Sequence, residues 1–313
     1  MLFNSLKIDD VMGERKIALF ETAQDLIIDV SGLVSLPEVC VKIGELSRDP
    51  NASAAQFGKL ISQDAALTVR LLRIVNSAFY RFPSKIETVS RAVAIIGQRD
   101  LHNIVLAASV SSVFDRVKTH LIDIDHFWRH AVYTGIVARI VAQHNRVLHP
   151  ERLFVAGLLH DIGRLLLCYR REQEMRHAIA MSLSEDMPLY QAEERIIGFS
   201  HADVGAELMQ NWNLPESLQY TTRLHHAPVF SEFPLECAII HLADQTSHMA
   251  ERGDFSEIEL SKVPDFVWRL TNMKGEDMES LIVNARDQFI ESLHLFRPSI
   301  VSKSGYHSGS PQN

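Results

Sequence analysis

Cysteine and long apolar runs are scarce in this chain of 313 residues. The three cysteines, Cys40, Cys168 and Cys237, lie far apart in apolar surroundings, which predicts buried thiols in a reducing compartment and excludes a disulfide framework. No segment reaches the roughly eighteen uninterrupted apolar residues of a membrane span. The first residues also lack the charged and apolar regions of a signal peptide. We therefore expect a cytoplasmic protein that does not bind membranes.

Positive charge is also in short supply, because the formal net charge is −8. Lysine and arginine are scattered along the chain, so binding to a nucleic acid backbone is not expected. No glycine-rich phosphate loop follows a strand pattern. Small anionic ligands stay possible. The hydrophobic content of 46% is sufficient for one large core or two smaller ones.

Apolar residues at spacings of three and four dominate the chain, and no sustained two-residue alternation occurs. The sequence therefore predicts an all-α fold. Asp123 or Asp125 is expected to cap a helix, and Ser200 with Asp203 resembles a capping box. Helices are predicted over residues 14–30, 36–48, 53–61, 63–78, 88–98, 99–114, 126–144, 151–159, 264–271 and 276–295.

Charged and flexible segments suggest how the chain is divided. The polar run 115–120 interrupts the helical spacing, and residues 302–310 are rich in serine and glycine with little to bury. We predict an N-terminal helical half over 1–120, a second helical half over 121–255, further helices over 256–296 and a flexible tail over 297–313.

Histidine and aspartate supply the most informative pattern. His160 and Asp161 follow two leucines and precede an isoleucine, and an ionised carboxylate in such surroundings costs several kcal/mol unless it is compensated. A divalent metal would compensate it, and so would an arginine pair or a helix N-terminus. Any single buried histidine is commonly an ordinary core residue. Further potential ligands lie at helix-scale separations: His130, His201, His225, His226 and Asp244.

The order His130, His160-Asp161, Asp244 resembles the pattern of the HD superfamily of metal-dependent phosphohydrolases. The segments Ser35-Leu36-Pro37, 71–80, 94–97, 127–130, 157–165, 201–206 and 212–215 resemble the HDOD domain of that superfamily. The resemblance covers roughly residues 30 to 245. It implies an all-helical HDOD fold with an N-terminal helical half and a C-terminal HD-like half that holds the metal site.

The resemblance also implies a ligand set and a role. His130, His160, Asp161 and Asp244 would hold one metal, and His201, His225 and His226 a second, with Asp161 bridging. One or two divalent ions are expected, without discrimination among Fe, Mn, Zn, Mg and Ni. Proteins with this domain are mostly bacterial signalling modules. We therefore expect a regulatory protein that binds signalling partners or a small phosphorylated ligand, with a homodimer as an open alternative.

The competing prediction is a phosphohydrolase or phosphodiesterase that acts on a nucleotide or cyclic dinucleotide, with Asp161 and Arg164 as catalytic residues. Related cyclic-dinucleotide phosphodiesterases carry Gly-Tyr-Pro after the paired histidines, whereas this chain continues Ala227-Pro228. Arg164 stands where those enzymes have lysine, and its pKa above about 12 makes it a poor proton donor but a good phosphate ligand. Arg129 and Arg223 are further phosphate candidates, and His241 is a candidate to orient Asp244. These departures favour the regulatory prediction.

Overall fold

The computed structural model describes residues 22–77, 80, 82–228 and 231–296. In this part of the chain every regular element is helical. The helices are α1 (Ala23–Val30), α2 (Glu38–Arg48), α3 (Ala54–Ile61), α4 (Ala65–Val75), α5 (Val89–Ile96), α6 (Gln98–Val113), α7 (Ile124–His144), α8 (Glu151–Leu159), α9 (Ile162–Arg170), α10 (Glu172–Glu185), α11 (Leu189–Ile197), α12 (His201–Asn211), α13 (Glu216–Arg223), α14 (Pro234–Arg252), α15 (Glu257–Leu260), α16 (Asp265–Leu270) and α17 (Met278–Phe296). Short 3-10 helices cover Phe114–Arg116 and Gly275–Asp277.

Side-chain caps explain where several helices begin. The hydroxyl of Ser200 accepts from the backbone N–H of Asp203, whose carboxylate accepts from the backbone N–H of Ser200 in return. The predicted capping box is thereby confirmed. Asp123 caps α7, as one of the two predicted alternatives. Because α12 begins at His201, its cap fixes the position of one predicted metal ligand.

Helices α1 to α6 occupy the N-terminal part of the described chain, and α6 lies at their centre against α2, α4 and α8. Asn76, which follows α4, fastens the connection to α5. Its amide donates to the carbonyls of Leu72 and Ile86, and its carbonyl accepts from the backbone N–H of Ile86. These hydrogen bonds give Asn76 a structural role.

Several helices that follow α6 pack with their backbones unusually close together. The long helix α7 packs on α8, α14 and α17. A Cβ atom at Gly157 of α8 would lie 2.7 Å from the Cα of Gly135 in α7, so only glycine permits this distance. A Cβ atom at Gly163 would lie 2.1 Å from the carbonyl oxygen of His201, which explains how α9 approaches α12. Gly163 thus permits the close approach of α9 to α12.

The predicted all-α class is confirmed, and helix bounds differ from the predictions by a few residues. The predicted helix 63–78 is shorter, since Asp64 caps α4 and Asn76 ends it. Helices α9, α10 and α11 were not among the predicted helices, and the break between α8 and α9 falls at His160-Asp161 itself. Residues 14–21 of the first predicted helix and the predicted tail 297–313 lie outside the described residues. The three cysteines are buried and free, as predicted.

The predicted division of the chain into helical parts after residues 120 and 255 stays a proposal. The polar run 115–120 lies where α6 gives way through the 3-10 helix Phe114–Arg116 to the connection before α7. None of the described helices combines the length and apolar character that crossing a bilayer requires.

Candidate metal centre

The predicted ligands converge at the ends and inner faces of several helices. His160 and Asp161 lie between α8 and α9, and His201 is the first residue of α12. The remaining members are His130 on α7, the pair His225 and His226 after α13, and Asp244 on α14. The structure therefore brings together all of the side chains that the sequence proposed as ligands. Their ligand atoms form overlapping groups in which all atoms lie within 4.8 Å of one another.

Asp161 occupies the middle of this cluster. Its Oδ1 atom lies 3.1 Å from Nε2 of His201, 3.6 Å from Nε2 of His160 and 3.7 Å from Nε2 of His225. Asp161 belongs to one potential ligand group with His130 and His160, and to another with His201, His225 and His226. This shared membership is the arrangement expected of a carboxylate that bridges two ions.

Two imidazoles are oriented by main-chain carbonyls. Nδ1 of His160 donates to the carbonyl of Gly157 at 2.7 Å, and Nδ1 of His225 donates to that of Thr222 at the same distance. Since a carbonyl only accepts, the proton on each Nδ1 is fixed and Nε2 faces the cluster. Both Nε2 atoms are buried and have no hydrogen-bond partner among the described residues.

Carboxylates orient His130 and His201 instead. Nδ1 of His130 lies 2.9 Å from Oε1 of Glu251, and Nδ1 of His201 lies 2.6 Å from Oε2 of Glu193. Such outer carboxylates turn Nε2 towards a metal and make the imidazole a stronger ligand. Nε2 of His130 lies 3.1 Å from Oδ1 of Asp244. The histidines His130, His160, His201 and His225 therefore all present Nε2 to one centre.

Burial and neighbouring imidazoles have opposite effects on the pKa values of the two aspartates in the centre. Burial raises the pKa of Asp161, but the neighbouring imidazoles of His160 and His201 outweigh it and hold that pKa well below its usual range. The pKa of Asp244 is likewise low, because His248, His130 and His160 outweigh its burial. Both carboxylates are therefore anionic at neutral pH. A buried pair of anions attracts a divalent cation.

The histidines divide into two classes. Burial lowers the pKa of His130 and His201, but hydrogen bonds and charge from the adjoining carboxylates raise each of them overall to about 10. In contrast, burial and the nearby His160 lower the pKa of His225 to about 3. His225 is therefore neutral, with its proton on Nδ1 and an electron pair on Nε2.

The pair formed by His225 and Asp161 shows whether the residues suit a metal. Nε2 of His225 and Oδ1 of Asp161 are both electron-pair donors and cannot hydrogen-bond to each other, yet they lie 3.7 Å apart inside the protein. A cation between them would satisfy both. Imidazole nitrogen together with carboxylate oxygen is a donor set suited to Zn, Fe, Mn or Ni. The residues fit a divalent metal.

Several contributors were missed in the sequence. His248 lies 3.3 Å from Asp244 and 3.3 Å from Glu251, and His126 lies 3.6 Å from Glu251. The spacing of Asp244, His248 and Glu251 places them on one face of α14, and His126 stands one turn before His130 on α7, so helical periodicity offered a signal for all of them. Glu193 belongs to α11 and no sequence pattern connects it with His201.

Other predicted roles have different outcomes. His241 is buried, and its Nδ1 donates to the main-chain carbonyl of His225 at 2.7 Å instead of orienting Asp244. Arg223 pairs with Glu207 at 2.6 Å, and Arg129 is exposed on α7. Arg164 lies near the centre, with a guanidinium nitrogen 3.7 Å from Oδ2 of Asp161.

The centre opens to the surface through a small cavity. Its volume is about 180 Å³, and its polar lining comes from Asp123, His126, His130, Asp161, Arg164 and His248. Pockets for drug-sized ligands typically measure about 300–1,000 Å³. The opening therefore suits an ion and a small anion rather than a whole nucleotide.

Comparison with known proteins identifies the family. Residues 33–228, more than half of the chain, match the HDOD domain family. The chain belongs to the HDOD family. A Treponema pallidum (strain Nichols) protein named "Uncharacterized protein" is 27% identical to this HDOD protein over 199 residues, which are 63% of the chain but 38% of that relative's length.

Solved structures share the fold. A "Putative phosphohydrolase" from Shewanella amazonensis SB2B matches with a TM-score of 0.70 at 21% identity, over 87% of this chain and 97% of that one. A "Putative signal transduction protein" from Marinobacter aquaeolei VT8 matches with a TM-score of 0.64 at 20% identity, over 86% of this chain and 61% of that one. At these identities the likeness establishes the HDOD fold alone.

Proposed function

We propose that this HDOD protein is a regulatory module whose buried centre holds one or two divalent metals and fixes the arrangement of its helices for contact with a signalling partner. The observation that carries the proposal is that the buried Nε2 atoms of His160 and His225 lie 3.6 and 3.7 Å from Oδ1 of Asp161 and have no hydrogen-bond partner in the described chain. The candidate ligands are His130, His160, Asp161, His201, His225, His226 and Asp244, with His248 as an additional donor.

The position of the centre supports a structural and sensing role. Its ligands come from α7, the α8–α9 junction, α12, the segment after α13 and α14, so bound metal would tie these elements to one another. Ligand binding to the folded state alone stabilises that state. Loss of the metal would release the same helix ends. The arrangement of the surface that these helices form would then change.

The narrow opening favours regulation over catalysis. A cavity of about 180 Å³ beside the centre is smaller than the pockets that enclose nucleotide-sized ligands. The Gly-Tyr-Pro signature of related cyclic-dinucleotide phosphodiesterases is also missing after His226. A homodimer and a cytoplasmic location remain part of this proposal as predictions from the sequence.

Arg164 favours a second candidate function, a metal-dependent phosphohydrolase. Its side chain is 30% exposed and lines the cavity beside Asp161, and its Nε is buried without a partner in the described residues. The guanidinium would bind a phosphate oxygen there, while His126 and His248 would face the same anion. A bound divalent metal would supply a Lewis acid and an activated water.

One assay separates the two functions. Metal-loaded protein is incubated with simple phosphodiesters, nucleotides and cyclic dinucleotides, beside the Asp161→Asn variant. The regulatory proposal predicts no turnover above that of the variant, together with a higher melting temperature of the loaded protein than of the chelator-treated one. Turnover that Asp161→Asn abolishes in a folded protein would establish the phosphohydrolase instead.

A further inference from the structure

A second and larger cavity lies away from the metal centre. Its volume is about 750 Å³, within the range of about 300–1,000 Å³ that is typical of small-ligand pockets. It is formed between the N-terminal helices α2 and α6 and the second half of the fold, where α8 and α13 begin. Its charged and aromatic lining consists of Arg48, Asp49, Arg99, His102, His149 and Arg152.

Positive charge is concentrated in this groove although the whole chain carries a net charge of −8. Arg48, Arg99 and Arg152 line it against a single lining carboxylate, Asp49, and that carboxylate accepts from the backbone N–H of Asn51. Guanidinium groups bind phosphate oxygens through paired, charge-assisted hydrogen bonds. An anionic ligand is the class that such a lining recognises.

The three arginines differ in their ion-pair and hydrogen-bond partners. Arg99 forms no ion pair within the described part of the chain and is exposed in the groove. Arg48 donates to the main-chain carbonyl of Asn213 at 2.8 Å, which positions it across the two halves of the fold. Arg152 pairs with Glu236 at 3.0 Å, but its Nε is buried and has no partner among the described residues. N–H groups of Arg99 and Arg152 are therefore available to bind a ligand.

Helix starts add to the positive potential. Gly97, Pro150 and Pro215 are the N-caps of α6, α8 and α13, and none of these helices has a side-chain cap. Gly97 and Pro215 line the groove themselves, and Arg152 lies in the first turn of α8. Helix N-termini attract phosphate groups through their free N–H groups and their dipoles.

The groove is separate from the metal centre. Helix α8 begins beside the groove and ends directly before His160, and nine helical residues extend for about 13 Å. Helix α13 begins after Pro215 and is followed by His225. Because these two helices pack together, the groove and the centre lie at opposite ends of one helix pair.

We propose that this groove binds a small organic ligand of nucleotide size that carries two or more phosphate groups. The arginines and helix starts would hold the phosphates, and the imidazole of His102 with the amide of Asn103 would face the organic part. This assignment goes beyond the proposed metal centre and does not depend on it.

Calorimetric titration of the metal-loaded protein of 313 residues with ATP, pyrophosphate and adenosine at low salt tests the proposal. We expect ATP and pyrophosphate to bind and adenosine to bind far more weakly. Arg99→Gln and Arg48→Gln should each weaken ATP binding by about tenfold or more, because each removes a charge-assisted contact. Arg91→Gln, on the exposed surface of α5, is the matched control and should change nothing.

Two results would overturn the assignment. One is the absence of ATP and pyrophosphate binding at millimolar concentrations, or binding that Arg99→Gln and Arg48→Gln leave equal to that of Arg91→Gln. The other is binding that Asp161→Asn abolishes and the groove variants retain, because the phosphates would then be at the metal centre. Melting temperatures of all variants establish that each is folded.

Discussion

Oδ1 of Asp161 and Nε2 of His225 lie 3.7 Å apart in the interior, and neither atom carries a proton to donate to the other. Two acceptors at this separation have no favourable interaction unless a cation lies between them. The hydrogen bond from Nδ1 of His225 to the carbonyl of Thr222 prevents the imidazole from simply changing tautomer. This pair is the clearest reason to expect a metal in this HDOD protein.

Asp161→Asn should remove most of the metal affinity. The variant loses the anionic charge that two potential ligand groups share. Because even outer partners of metal ligands contribute about 10–100-fold in affinity, we expect a loss of about 100-fold or more. Competition with a chromophoric chelator measures it. Asp287→Asn, at an exposed site on α17, is the matched control, and equal affinities in the two variants would refute the role of Asp161.

Glu193→Gln should weaken metal binding without removing a ligand. Oε2 of Glu193 accepts from both the backbone N–H and Nδ1 of His201, so the change reduces the negative charge that strengthens this imidazole. We expect a loss of about 10–100-fold in affinity. The neighbouring exposed residue offers the control Glu194→Gln. If the two variants bind metal equally, Glu193 does not support the centre.

Gly163→Ala should destabilise the contact between α9 and α12. Its new methyl group would lie 2.1 Å from the carbonyl oxygen of His201 and 2.6 Å from the backbone nitrogen of Gly205. Overpacking of this kind costs about 1–3 kcal/mol of the free energy of unfolding, and more where backbone atoms must move. Urea titration checks this value. Gly32→Ala, where nothing lies within 4 Å of the new methyl group, should not destabilise the protein. Equal stabilities of both variants would contradict the packing argument.

Arg139→Met should strongly destabilise the fold. Nε of Arg139 donates to Oε1 of Glu151 at 3.1 Å, and both side chains are almost fully buried. Removing one partner leaves a buried charge, which costs about 3–5 kcal/mol. Replacing both residues, with Arg139→Met and Glu151→Leu, should restore much of the loss. Lys42→Met, at an exposed ion pair with Glu38, is the control. A small effect of the single change would show that Glu151 finds compensation elsewhere.

The sequence allowed the fold class and the members of the inner His/Asp cluster to be predicted because both follow from local patterns. Helical periodicity is a property of each segment, and the His160-Asp161 pair is conspicuous in its apolar run. The outer partners depend on tertiary packing. Glu193 meets His201 only because α11 and α12 come together, and nothing in the segment around Glu193 signals that contact.

His241 is a second case in which tertiary packing decided a contact that the sequence did not show. Its position one helical turn before Asp244 suggested that it orients that carboxylate, but its ring nitrogen bonds to the carbonyl of His225. Spacing along a helix shows which residues share a face, whereas the partner on the neighbouring chain segment depends on how the helices pack. His248 was accessible to the same reasoning, since it lies one turn beyond Asp244 and contacts it.

Elemental analysis of the protein purified without chelators tests the central claim most directly. The account predicts about one to two equivalents of a divalent transition metal per chain, retained through dialysis and lost from the folded Asp161→Asn variant. Metal-free protein with the same helical content that also fails to bind added Mn²⁺, Fe²⁺ or Zn²⁺ would contradict it.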